Sequence, residues 1–179
     1  MRLYARTVVL SVLGVSATPL EVRAWPLTCP EGRAPADARA PDPQWTTAAR
    51  HLEPQLRSPL ALVASPAQTP LCVTTDAVFI APGAAPPVPA GEPFPTSASF
   101  VFLAWAAGVY AAHAEGRPPE ALRERSVEHA GCFVGSVGVR GDDLQAQATA
   151  LWQQLTPALR GDELEFRRAF ARGGVSCLR

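Results

Sequence analysis

The chain has 179 residues, 16 basic against 16 acidic, and 47% hydrophobic residues. Every basic residue is arginine, and neither lysine nor asparagine occurs. This excludes a lysine Schiff base, a Ser-x-x-Lys nucleophile, a phosphate-loop lysine and N-glycosylation. No clustered basic face exists to hold nucleic acid.

Residues 1–24 read as a secretory signal peptide. Arg2 and Arg6 supply the positive start, Thr7 to Val15 the apolar stretch, and Val15-Ser16-Ala17 the small residues of a cleavage site. Cleavage is expected after Ala17 or Ala24. The apolar stretch is far shorter than the roughly 20 residues a membrane span needs. Loss of Arg2 and Arg6 leaves 14 Arg against 16 acidic residues, a net of about −2. The remaining chain suffices for one domain with a core. A periplasmic or secreted location follows, where cysteines can pair.

Residues 25–96 form a proline-rich, partly extended segment. Residues 18–96 carry 16 of the 19 prolines, and proline removes a backbone donor, so helix is limited there. One helix is predicted from about Gln44 to Leu56, broken or kinked near Pro54. Leu71 to Ala81 reads as a strand between Pro70 and Pro82, with Leu60 to Ala64 as its partner. Thr18 to Pro43 reads as extended, and Pro82 to Pro95 as a polyproline-like connector.

Residues 97–179 read as a helical domain, giving a mainly α fold with about four helices in this half. Thr96 or Ser97 caps a helix to about Ala114, ended by Gly116. Phe100 to Ala112 is apolar on every face. That fits a buried central helix, with a membrane-embedded one left open. Ala104, Gly108 and Ala112 recur every four residues, a stripe suited to close packing in a core or a homodimer. Pro118 and Pro119 open the next helix, which Gly131 ends near Ala130. Cys132 to Gly141 is expected as a loop or short strand. Asp142 or Asp143 caps a third helix, whose Leu144, Ala148, Leu151, Trp152 and Leu155 share one face. After Pro157 and Gly161, Asp162 with Glu165 resembles a capping box. The last helix is expected to stop at Gly173-Gly174.

The cysteines are Cys29, Cys72, Cys132 and Cys177. No two lie within a Cys-x-x-Cys, so redox and zinc motifs are unsupported, and two disulfides are expected. Three connectivities are open. One bridge per half, Cys29–Cys72 with Cys132–Cys177, is the preferred one. His51, His113 and His129 are scattered, the last two near expected helix C-termini, where a protonated imidazole suits the dipole. Glu128-His129 hints at a ligand pair but lacks the His-Glu-x-x-His pattern. Ser136 follows Gly135 but has Val134 where a nucleophile elbow needs glycine. No catalytic set and no metal or cofactor site is read from these residues. The glycine-rich stretch Gly135 to Gly141, with Ser136, Gly138 and Arg140, is the candidate partner-binding loop.

Gly108-Val109-Tyr110-Ala111-Ala112, Cys132, Gly138-Val139, the amphipathic Leu144 to Leu155, Pro157, Ala169-Phe170 and Cys177 together carry a family resemblance. Over residues 97–179 the chain resembles the Tai-type immunity proteins of type VI secretion. It departs from their pattern at Phe102, where a cysteine is usual, and at Ala104-Trp105, where Gly-Tyr is usual. The resemblance implies a small exported helical protein with disulfides that blocks a cell-wall amidase effector. The expected function is thus an exported, non-enzymatic binding protein, an inhibitor or immunity protein against a cell-wall-degrading effector. A structural or accessory envelope protein, or an enzyme of unrecognised type, is the alternative. The expected partner is a secreted protein, not nucleic acid, and no membrane contact is expected after signal cleavage.

Overall fold

The Ser97 hydroxyl accepts the Phe100 N–H at 3.2 Å and starts α2 (Ala98–Ala114), the element around which the rest is built. In this computed structural model the described residues are 25–177 except 26, 30–31, 37, 41–42, 57–59, 65–70, 82 and 87–96. The expected signal peptide, its cleavage sites, and most of the polyproline-like connector lie outside the described residues.

The remaining helices are α1 (Pro43–Leu52), α3 (Pro119–Ser136), α4 (Gly141–Gln154), α5 (Pro157–Arg160) and α6 (Glu163–Ser176). Pro54 falls in a 3₁₀ turn, Glu53–Gln55, that follows α1. The strands are β1 (Ala61–Ala64), β2 (Leu71–Val73) and β3 (Ala77–Ile80), in the order β1-β3-β2. β1 pairs parallel to β3 with Ala61 opposite Ala77, and β2 antiparallel to β3 with Leu71 opposite Ile80. The fold is mainly α with this small sheet.

The single strand expected over Leu71 to Ala81 is instead a hairpin. Thr74 and Asp76 fold the chain back: the Thr74 hydroxyl donates to Asp76 Oδ1 at 2.7 Å and accepts the Ala77 N–H at 3.2 Å. Such side chains offer the backbone a turn without glycine or proline. Within Thr18 to Pro43, Thr28 forms a bridge to Val73 and Arg39 one to Ala64. Both are extended segments added to the sheet.

α2 is buried along nearly its whole length, from Ser99 to Ala112. It packs on α1, α3, α4, β2 and β3. Among the described residues no helix is long and apolar enough to cross a membrane. The all-apolar surface of α2 is explained by neighbours on every side. One hydrophobic core joins the two halves of the chain, from Leu27 and Trp45 to Phe166 and Phe170. Trp25 reinforces the join, donating its indole N–H to the Leu159 carbonyl at 3.3 Å and meeting Trp105 edge-on.

Three expectations for the helical half are corrected. α3 does not end at Gly131 but runs on through Cys132 to Ser136, so the expected loop from Cys132 is helix for its first five residues. α6 likewise continues through Gly173-Gly174 to Ser176. These glycines sit where α3 and α6 touch: Gly131 lies against the Phe170 carbonyl and Gly173 against the Glu128 carbonyl. A helical glycine is here a contact point between backbones rather than a stop. Third, neither Asp142 nor Asp143 caps α4. Arg140 is its N-cap residue and both aspartates lie in the first turn, where they still favour the positive dipole end. The Gly108 stripe faces α3, with Gly108 against the Ser126 carbonyl.

Other punctuation agrees with the reading. Gly116, at φ 67°, closes α2, and Asp162 caps α6 by accepting the Glu165 N–H at 2.9 Å.

Candidate functional site

The structure pairs Cys29 with Cys72 and Cys132 with Cys177, and no described cysteine is free. The first bridge joins the extended segment at Thr28 to β2. The second joins the last third of α3 to the end of α6. The Gln55 amide lies over this second bridge, its Oε1 3.8 Å from Cys132 Sγ and 3.9 Å from Cys177 Sγ. Its Nε2 donates to the Ser136 hydroxyl. Gln55 thus ties the proline-rich half to the bridged end of the helical half.

Ser136, Gly138 and Arg140 are exposed. They do not sit on one long glycine loop. Ser136 ends α3 and donates to the Phe133 carbonyl at 2.6 Å. Only Val137 to Arg140 connect α3 to α4, with Gly138 at φ 98°. The Arg140 guanidinium turns back onto the Gly135 and Val139 carbonyls. Gly135 packs on Gly174 of α6, which brings the exposed Val175 to the same end of the molecule.

A second cluster was touched by the sequence only at the adjacent Glu128-His129. The turn after α2 swings Glu115 back against α3. Arg125 grips its carboxylate with two bonds, Nη2 to Oε1 at 2.8 Å and Nε to Oε2 at 2.9 Å. Arg117 Nε reaches Oε2 at 3.1 Å, and His129 Nε2 lies 2.9 Å from Oε1. Arg125 also donates to Glu128 at 3.1 Å, and Arg172 of α6 joins Glu128 at 3.0 Å and Glu124. The chain of charges therefore links the end of α2, α3 and α6.

The electrostatics follow from this geometry. The bidentate Arg125 pairing, with Arg117 adding to it, pulls the Glu115 carboxyl from 4.5 down to about 2. The same pairing raises the Arg125 guanidinium further. Burial, with the neighbouring Arg125 charge, lowers the His129 imidazole despite Glu115. The contact between His129 and Glu115 is therefore a hydrogen bond from a neutral ring, with Nε2–H assigned as the donor, rather than an ion pair. The ring also stacks on Phe133, 6.0 Å between centroids. Because α3 extends to Ser136, His129 lies a turn and more inside the helix, not at its C-terminus as expected.

Tyr110, Glu115, Arg125 and His129 share the wall of one cavity of about 400 Å³ with Gln55, Leu56, Ala111 and Ala114. Burial raises the Tyr110 phenol, and its hydroxyl donates to the Thr75 carbonyl at 3.3 Å. Tyr110, Glu115, Arg125 and His129, four side chains with displaced protonation equilibria, all line this cavity. Such convergence marks functional sites more often than bare surface does. Among the described residues no group of three or more His, Cys, Asp or Glu could hold a metal ion. No known protein family, curated protein or solved structure matches the chain.

Sequence reasoning missed the rest of this cluster for a specific reason. Arg125, Glu128 and His129 share one face of α3 by spacing alone. Glu115 joins them only through the turn at Gly116, Arg117 and Pro118, which spacing does not reveal.

Proposed function

We propose that the protein is exported and acts as a preformed binding protein, inhibiting a secreted cell-wall-degrading effector as an immunity protein does. The observation that carries this reading is the Cys132–Cys177 bridge between α3 and α6, at the end of the bundle where Ser136, Gly138 and Arg140 are exposed, as is Val175 near the end of α6. A disulfide pairing supports an oxidising compartment. The close glycine packing of α3 on α6 and the bridge hold one end of the bundle in a fixed shape. A surface ordered before binding loses less conformational freedom when the partner docks. Binding groups concentrate on short connections held by such scaffolds. The resemblance of residues 97–179 to Tai-type immunity proteins points the same way.

The test is affinity for the cell-wall hydrolase encoded beside the gene. A complex is expected at submicromolar concentration. Val175→Glu combined with Arg140→Glu should weaken it by about 2 kcal/mol or more, the scale of an interface hot spot. Unchanged affinity in the folded double variant removes this end from the interface. No complex with the wild-type protein, or no such hydrolase beside the gene, overturns the immunity reading.

A further inference from the structure

We propose that the cavity between the C-terminal end of α2, α3 and the 3₁₀ turn binds a small uncharged molecule carrying a secondary amide. The cavity holds about 400 Å³, within the range of small-molecule sites. Leu56, Ala111 and Ala114 give it an apolar wall, and Tyr110, Arg125 and His129 are among the polar side chains that line it.

The chemistry of the ligand follows from which hydrogen-bonding capacity is already used. Glu115 is saturated. Oε1 takes Arg125 Nη2 and His129 Nε2, and Oε2 takes Arg125 Nε and Arg117 Nε. A carboxylate offers about four lone-pair sites, so none remains for an ammonium or guanidinium ligand. Glu115 and Glu128 offset Arg117 and Arg125, so the site has no net charge to attract an anion.

Two kinds of capacity remain. Arg125 has five N–H groups, and the donors named above use three of them, leaving two. His129, neutral and donating from Nε2, keeps Nδ1 as an acceptor, and no described residue occupies it. The Tyr110 oxygen donates its hydrogen to Thr75 and keeps its lone pairs. A secondary amide answers both kinds: its carbonyl accepts from Arg125, and its N–H donates to His129 Nδ1 or the Tyr110 oxygen. A methyl or methylene beside the amide would lie on Leu56, Ala111 and Ala114. Peptide backbones and N-acyl sugars both present this group.

The experiment is an NMR titration of the full, oxidised protein with two amide probes, N-acetyl-alanine N-methylamide and N-acetylglucosamine. Acetate and methylammonium serve as charged controls. Saturable shifts at the backbone amides of Ala111, Ala114 and His129 are expected with an amide and not with the charged controls. Whichever probe binds tighter identifies a peptide or a sugar as the source of the amide. Leu56→Trp, which fills the cavity from its half-buried edge, should weaken binding at least ten-fold. Ala114→Leu, at an exposed position on the same wall, gives the same readout should the first variant fail to fold. No saturable shift with either amide overturns the proposal. So does equal binding to a folded cavity-filling variant, or tighter binding of acetate or methylammonium than of either amide.

Discussion

Gly131 of α3 lies directly against the main-chain carbonyl of Phe170 in α6, and a methyl group has no room between them. Gly173 of α6 meets the Glu128 carbonyl of α3 in the same way. The two helices are thus in backbone contact at reciprocal points. Gly131→Ala is expected to cost about 1–3 kcal/mol, as overpacking in a rigid core does. At this chain length each kcal/mol lowers Tm by about 2–4 °C. Thermal unfolding of Gly131→Ala and Gly173→Ala checks this. An unchanged Tm in both would show that α3 and α6 separate easily.

These glycines also show where the sequence is ambiguous. A glycine after an apolar helical stretch reads as a stop, and Gly116 is one. Gly131 and Gly173 have the same local signature, yet both lie inside helices because a neighbouring backbone occupies the space a side chain would take. The difference is tertiary and is not written in the flanking residues. Local signals were legible where they act locally: the Ser97 and Asp162 caps, Pro119 opening α3, and the break after Leu52. The hairpin at Thr74 and Asp76 was hidden because its turn uses side-chain hydrogen bonds instead of glycine or proline. At the candidate sites, the preferred pairing of one bridge per half matches the structure, although spacing alone left three connectivities open. The cavity was not legible, since its wall joins Gln55 to residues far along the chain.

The Glu115 carboxylate should make stability depend on acid pH. Its folded value of about 2 lies below the ordinary 4.5. The unfolded chain therefore takes up the proton first as pH falls. The stabilisation is complete above about pH 4.5 and is lost toward pH 2. Its size is on the order of 2 kcal/mol, after allowance for partial solvent contact.

His129 adds a loss that starts at higher pH. Its lowered folded value means that the unfolded chain binds the proton first below about pH 6.5. Stability should be flat above that point and decline beneath it. Denaturant unfolding at pH 7.5, 5.5 and 3 separates the two effects. Glu115→Gln should flatten the pH 5.5 to 3 interval. A wild-type protein equally stable at pH 7.5 and 3 contradicts both assignments.

The Cys132–Cys177 bridge closes a sequence separation of 45 residues. In the chain-entropy model such a loop stabilises by about 4 kcal/mol. The double variant Cys132→Ser, Cys177→Ser should show that loss in denaturant unfolding. Thiol labelling of the denatured, unreduced wild-type protein should find no free cysteine. Two or more labelled residues would contradict the pairing.

Export is expected to remove the first 17 or 24 residues. Intact-mass measurement of protein recovered from the periplasm or medium reads this directly. A full-length mass, or protein found only in the cytosol, contradicts export.

Inhibition is the most direct test of the central proposal. Purified cell-wall hydrolase from the neighbouring gene is assayed on isolated cell wall, with and without the oxidised protein. Hydrolysis should fall in proportion to added protein and stop near a one-to-one ratio. Undiminished hydrolysis in the presence of a large excess would contradict it.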